Sequence, residues 1–188
     1  QSKYLLIKNL IKTQRDNMFK FHGLTLIELI ITLGVLAILA TFAVPYFREI
    51  MISNEAAYLK RILTIHIQKA KTDAQLHHQN VMLCPSSDEI HCDHDWNKGF
   101  IGFIDSNRNR QRDAEETLLF TIALNHKYGH LSYRAFGNTP DSIIFQSSNG
   151  LPLASNGSFI YCSTSPNYHT KIMLSRMGNI RFEKLSRC

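Results

Sequence analysis

Enzyme signatures are missing from the 188 residues. There is no Gly-x-Ser-x-Gly elbow, no His-Glu-x-x-His and no phosphate-binding glycine loop, so neither catalysis nor a cofactor is expected. Charge is missing from a second place: between residues 24 and 44 the only polar side chains are Thr25, Glu28, Thr32 and Thr41. At about 1.5 Å per residue this run makes a helix of roughly 30 Å, long enough to cross a bilayer. A lone acid inside it costs roughly 2.5–3.5 kcal/mol on insertion scales, so Glu28 needs a partner. Glycine and proline are missing from 46–78, which removes any reason for a helix to stop there. Cysteine is missing from the chain until the apolar run has ended.

The charges that are present are distributed unevenly. The formal charge is +6, but residues 1–23 hold Lys3, Lys8, Lys12, Arg15 and Lys20 against Asp16 alone, leaving +2 for the remainder. The basic balance is therefore mostly a property of this first segment, and it says little about partners. Lys20, Arg15 and Lys12 keep the residues before Leu24 on the cytoplasmic side by the positive-inside bias, so the chain beyond Pro45 lies outside the cytoplasm. Met18 is a plausible start, which makes 1–17 an upstream extension outside fold reasoning.

His22-Gly23-Leu24-Thr25-Leu26-Ile27-Glu28-Leu29, continued to Ala43-Val44-Pro45, resembles the leader junction of type IV pilins and type II secretion pseudopilins. The resemblance implies cleavage after Gly23 by a prepilin peptidase and methylation of the new amine on Leu24, where the family usually has Phe. It also places Glu28 fifth and Pro45 twenty-second in the mature chain. Glu28 would then neutralise the terminal amine of a neighbouring subunit during filament assembly.

Beyond Pro45 the apolar residues Ile52, Ala56, Leu59, Leu63, Ile67, Ala70 and Ala74 recur at helical spacing, so an amphipathic helix is expected over 46–78. Pro45 should bend it rather than end it. From Gln79 short β-like runs take over, near 81–84, 100–104, 117–122, 131–136, 143–145, 159–162, 171–175 and 179–182. Breaks include 85–87, 105–113, 137–140, 147–150 and 165–167, and Met177-Gly178-Asn179 reads as a hairpin turn. The aromatics, including Phe100, Phe103, Phe120, Tyr133, Phe145 and Phe159, are expected mostly to alternate inward as sheet core rather than to form a stacking platform. The expected fold is α+β: a pilin fold, with a long helix packed on antiparallel sheets. Its parts are 1–23 as extension and leader, 24–45 as membrane or filament-core helix, and 46–188 as the extracytoplasmic domain.

Leu83-Cys84-Pro85-Ser86-Ser87, Cys92, Trp96-Asn97-Lys98-Gly99-Phe100 and Phe103-Ile104-Asp105-Ser106-Asn107-Arg108-Asn109 are similar to the FimT/GspH class, and the resemblance runs over 23–181. It implies a minor type IV pilin, or alternatively a GspH-type minor pseudopilin of type II secretion. Partners would be other pilins or pseudopilins, the prepilin peptidase and the inner membrane. The protein would sit there as a single-pass chain, N-terminus inside and globular domain periplasmic, before entering a pilus or pseudopilus.

Four cysteines in an oxidising compartment argue for two disulfides. Three pairings are open, and Cys84 with Cys92 and Cys162 with Cys188 are preferred as the local and tail pairs. Zinc on Cys84, His91, Cys92 and His94 is the alternative, and it would need the thiolates that a disulfide removes. Asp105, Asn107, Asn109, Asp113 and Glu116 have the spacing of a calcium loop, but Arg110 stands where that loop wants glycine. A solvated hairpin loop and no metal is therefore the expectation. The tail carries Lys171, Arg176, Arg181, Lys184 and Arg187 against Glu183 alone, the kind of patch that holds phosphates. In DNA-binding FimT proteins the resemblance implies a Gly-Arg-x-Arg motif, matched here by Gly178-Asn179-Ile180-Arg181. Asn179 supplies one charge less, and Gly178 and Arg181 are kept.

Overall fold

The computed structural model describes residues 25–136, 141–152 and 155–188. The first helix, α1, spans Leu26–His77 with Pro45 inside it. Thr25 and Glu28 form a capping box at its start: the Glu28 N–H donates to Thr25 Oγ1 at 3.3 Å, and the Thr25 N–H donates to Glu28 Oε2 at 3.4 Å. The Thr32 and Thr41 hydroxyls donate to the carbonyls of Leu29 and Ile38 at 2.9 and 2.7 Å, so neither is left unpaired in an apolar run. The helix stops where His78 adopts φ +51, a left-handed residue one step past the last turn.

The chain divides into two compact units, Gln1–Pro45 and Tyr46–Cys188. Within the second, eight strands follow the helix: β1 Val81–Pro85, β2 Gly99–Ile104, β3 Leu118–Ala123, β4 Gly129–Ala135, β5 Ile143–Phe145, β6 Gly157–Ser163, β7 Thr170–Leu174 and β8 Ile180–Lys184. They form two antiparallel four-stranded sheets, β3-β2-β1-β5 and β4-β6-β7-β8. Each of the eight expected strands is present, with ends shifted by at most two residues; the expected break at 137–140 lies outside the described residues.

The helical stripe from Ile52 to Ala74 is buried, and from Ala56 onwards it meets residues of both sheets in one core. Leu59, Leu63 and Ile67 are fully enclosed, each contributing about 1.5–3 kcal/mol. Asp73 is the one buried acid on this stripe, and the Lys69 ammonium reaches it at 2.8 Å.

Glu55 ties the helix to the loop before β4 and to β6. It accepts the N–H groups of Lys127 and Tyr128 at 2.8 and 3.0 Å and the Tyr161 hydroxyl at 2.6 Å. Trp96 closes the far end: its indole N–H donates to the Asp141 carbonyl at 2.9 Å, and its ring meets Phe159 edge-on at 4.8 Å. Gly99 is required here because a Cβ would collide with the Ile122 carbonyl.

The aromatics turn inward as expected, and because every residue of β2 is buried they divide between two clusters. Phe100 faces α1, whereas Phe103 joins Met82, Cys84 and Ile101 in a second cluster on the opposite face of the sheet. The chain after β1 covers that face, held there by the Cys84–Cys92 bond. A strand covered on both sides loses the alternation that would reveal its orientation.

Candidate functional site

Three regions carry the residues singled out above. At the N-terminal end, Gly23 and Leu24 lie outside the described residues. Glu28 is one turn into α1 and engaged locally by Thr25. From Leu26 to Met51 every residue of the helix is exposed, although nearly all are apolar as far as Val44. The helix is long and apolar enough to cross a membrane.

The second region comprises the loops beside β1 and β2. Cys84 and Cys92 are joined, with Cα atoms 5.6 Å apart, which removes the thiolates that a zinc site would use. His91 lies 2.7 Å from Asp88 and His94 lies 3.1 Å from Asp141, each on the surface. The N–H and ring of His91, with the N–H of Ile90, hold the Asp88 carboxyl well below its ordinary range.

In the loop between β2 and β3, Asp113 Oδ2 accepts the amide groups of Asn107 and Asn109 at 2.6 and 2.8 Å. Glu116 takes the Ser106 N–H on Oε1 at 2.8 Å and the Asp113 N–H on Oε2 at 3.2 Å. Asp105 is 2% exposed, and burial, with the Glu116 charge beside it, raises its pKa. Among the described residues no three His, Cys, Asp or Glu side chains converge as a ready metal cluster.

The third region is the tail. Cys162 and Cys188 are bonded with Cα atoms 5.8 Å apart, which ties the last residue to β6. Gly178 makes the β7–β8 turn at φ +73, and a Cβ there would lie 3.3 Å from the Lys71 ammonium. The Gly178 N–H donates to the Ser175 carbonyl at 2.9 Å, closing the turn.

The five tail cations do not form one patch. Residues alternate across β8, so Arg181 and Glu183 share the outer face, whereas Lys184 stands opposite Thr170 on the other. Lys171 shares the outer face with Arg181 but sits 3.9 Å from Glu183. The Arg176 guanidinium lies 5.9 Å from the centre of the Phe136 ring, and Arg187 is beyond the last strand.

A cation outside the tail completes the outer face. Arg134 opposes Ser158, Ser158 opposes Met173, and Met173 opposes Arg181, so one row crosses all four strands with arginine at both ends. Arg134, Lys171, Arg181 and Asn179 line a groove of about 480 Å³ on that face. Arg134 follows the buried Tyr133, and its outward orientation is readable from alternation; the strand order that brings it to Arg181 is not.

A family model described as "Type II transport protein GspH" matches residues 63–178. A model described as "Prokaryotic N-terminal methylation motif" matches residues 18–44. Comparison with curated proteins gives no match. Among solved structures, the type IV minor pilin FimU of Pseudomonas aeruginosa PAO1 is similar in two crystal forms. In space group P21 it is 15% identical with a TM-score of 0.48, over 69% of this chain and 89% of that one. In P65 the values are 15%, 0.44, 66% and 89%. With the first model spanning more than half of its length and the second covering its apolar N-terminal run, the chain belongs to the GspH family of pilin-like proteins.

Proposed function

We propose that this chain is a minor pilin, a structural subunit rather than an enzyme. It is held in the bacterial inner membrane by 24–45, cut after Gly23, methylated on Leu24 and packed with other pilins into a filament. The observation that carries this reading is the exposure of α1 from Leu26 to Val44, an apolar surface that the described residues of the chain leave uncovered. At about 25 cal/mol per Å² such a surface demands cover. Lipid supplies it before assembly and neighbouring helices supply it afterwards, with Glu28 meeting the terminal amine of the next subunit and Pro45 marking the end of the buried run.

Recovery of the protein from cells with and without an active prepilin peptidase tests this. The expected intact mass, with the peptidase, lacks residues 1–23 and carries one added methyl group. Full-length, unmethylated chain in peptidase-positive cells overturns the reading.

The groove between Arg134, Lys171 and Arg181 supports a finer reading, in which the outer face of β4-β6-β7-β8 contacts DNA phosphates during uptake. Glu183 beside Lys171 offsets part of that charge. Full-length protein in detergent should retard duplex DNA, and Arg134→Gln or Arg181→Gln should each reduce the slope of log affinity against log salt by about 0.9. Retardation indifferent to both substitutions and to salt removes DNA from the proposal and leaves the pilin reading intact.

The description of the matched family model favours a second reading, a minor pseudopilin of type II secretion. Crosslinking from Phe42 in the intact cell discriminates the two: other minor pilins support the first, secretion pseudopilins the second.

A further inference from the structure

The loop between β2 and β3 holds a feature that a solvated hairpin does not require. Asp105 follows the last residue of β2 and is 2% exposed, yet among the described residues its Oδ1 has no hydrogen-bond partner. Its carboxyl faces the N–H groups of Arg108, Asn109 and Arg110 and the Glu116 carboxylate, so it points into the loop rather than out of it. Glu116 is itself only 7% exposed. Two buried carboxylates are thus close enough to repel, one of them with an oxygen unsatisfied, an arrangement that costs free energy unless a cation joins it.

Three arginines in the loop do not supply that cation. Arg108 and Arg110 are exposed, and Arg112 sends its guanidinium to the Ile90 carbonyl at 3.3 Å. Among the described residues none of the three forms an ion pair with the loop acids.

We propose that this loop is a calcium site, with Asp105, Asn107, Asn109, Asp113 and Glu116 as its side-chain oxygen donors and the Gln111 carbonyl as the backbone donor at the seventh place. Their positions are one, three, five, nine and twelve of the loop, the order in which an oxygen-only calcium loop takes its ligands. Arg110 in place of glycine at the sixth position is the objection that the residue pattern raises. The backbone answers it, because Arg110 takes φ +65 and Arg108 takes φ +63, the left-handed turns for which such a loop uses glycine.

The Asn107 and Asn109 amides turn their N–H groups onto Asp113. Their oxygens accept the N–H groups of Asn109 and Gln111 at 3.0 and 2.8 Å, and each keeps a second lone pair for a cation, so release of the amide N–H groups from Asp113 turns this network into a donor set. The three arginines weaken binding, which places the affinity in the extracellular class rather than the sensor class.

Calcium chloride titrated calorimetrically into the full chain in detergent tests this. Half-saturation is expected between about 0.1 and 1 mM with one ion per chain, and the melting temperature should rise in the same range. Magnesium chloride at equal concentration should give less than a tenth of either response, because its smaller ion demands tighter octahedral geometry. Asp105→Asn should abolish both responses. Asn109→Ala, at an exposed position and therefore tolerated by the fold, should raise the half-saturating concentration at least fivefold. No heat and no melting shift up to 10 mM (about ten times the weakest expected constant), equal responses to magnesium, or an unchanged response in Asn109→Ala would each overturn the proposal.

Discussion

The Tyr161 hydroxyl donates to Glu55 Oε1 at 2.6 Å, joining α1 to the central part of the second sheet across 106 positions of sequence. The same carboxylate receives two backbone N–H groups from the loop before β4, so one side chain registers helix, loop and sheet together. Hydrogen bonds to a charged group contribute about 1.5–3 kcal/mol each when well made, less where solvent reaches them. Tyr161→Phe is expected to cost about 1–2 kcal/mol and Glu55→Ala about 2–4 kcal/mol. A double-mutant cycle in urea should show coupling above about 0.5 kcal/mol, and additive losses would separate the two residues.

Alkaline pH should act through the same pair. Burial, the bond to Glu55 and its charge push the Tyr161 phenol well above 10.0, and burial with the Asp141 charge does the same to Tyr133. A raised phenol contributes stability that is complete below pH 10.0 and is lost as pH rises towards the folded value. Melting temperature should therefore fall above pH 10, and Tyr161→Phe should flatten part of that fall.

Acid stability turns on His126. Burial holds its imidazole below 6.5, against the opposing pull of Glu55, and its Nε2 is buried without a partner among the described residues. The unfolded chain takes up this proton first, so stability is complete above pH 6.5 and falls as pH drops from there through the folded value. His126→Gln should remove this step from a stability profile between pH 7 and pH 5. An identical profile in the variant would assign the loss to other groups.

The Cys162–Cys188 bond closes a segment of 26 residues that contains β7 and β8. Constraint of the unfolded chain by a loop of that length contributes about 3 kcal/mol. Cys162→Ser with Cys188→Ser should lower the urea midpoint accordingly, and β8, an edge strand, should exchange its amide hydrogens faster than β6.

Gly178→Ala tests the turn that joins those strands. A side chain at φ +73 costs about 1 kcal/mol, and its Cβ would press on Lys71. A fall of about 2–4 °C in melting temperature is expected for a domain of this size. A neutral effect would show that the turn relaxes.

Sequence alone determined the apolar run, the single acid in it, the helical stripe from Ile52 to Ala74 and the positions of all eight strands. Those features are local: hydrophobic period and turn residues act over a few positions, and covalent neighbours are enough to express them. Only the tertiary structure decided which strands are neighbours, and with it the row from Arg134 to Arg181 that no tail motif contains. It also decided that β2 is covered on both faces, that Lys184 points away from Lys171, and that Asp105 is enclosed with an oxygen unmatched. Each of these depends on pairing between residues distant in the chain, where the energy of a contact is settled by what else fits around it rather than by the residue's own preference.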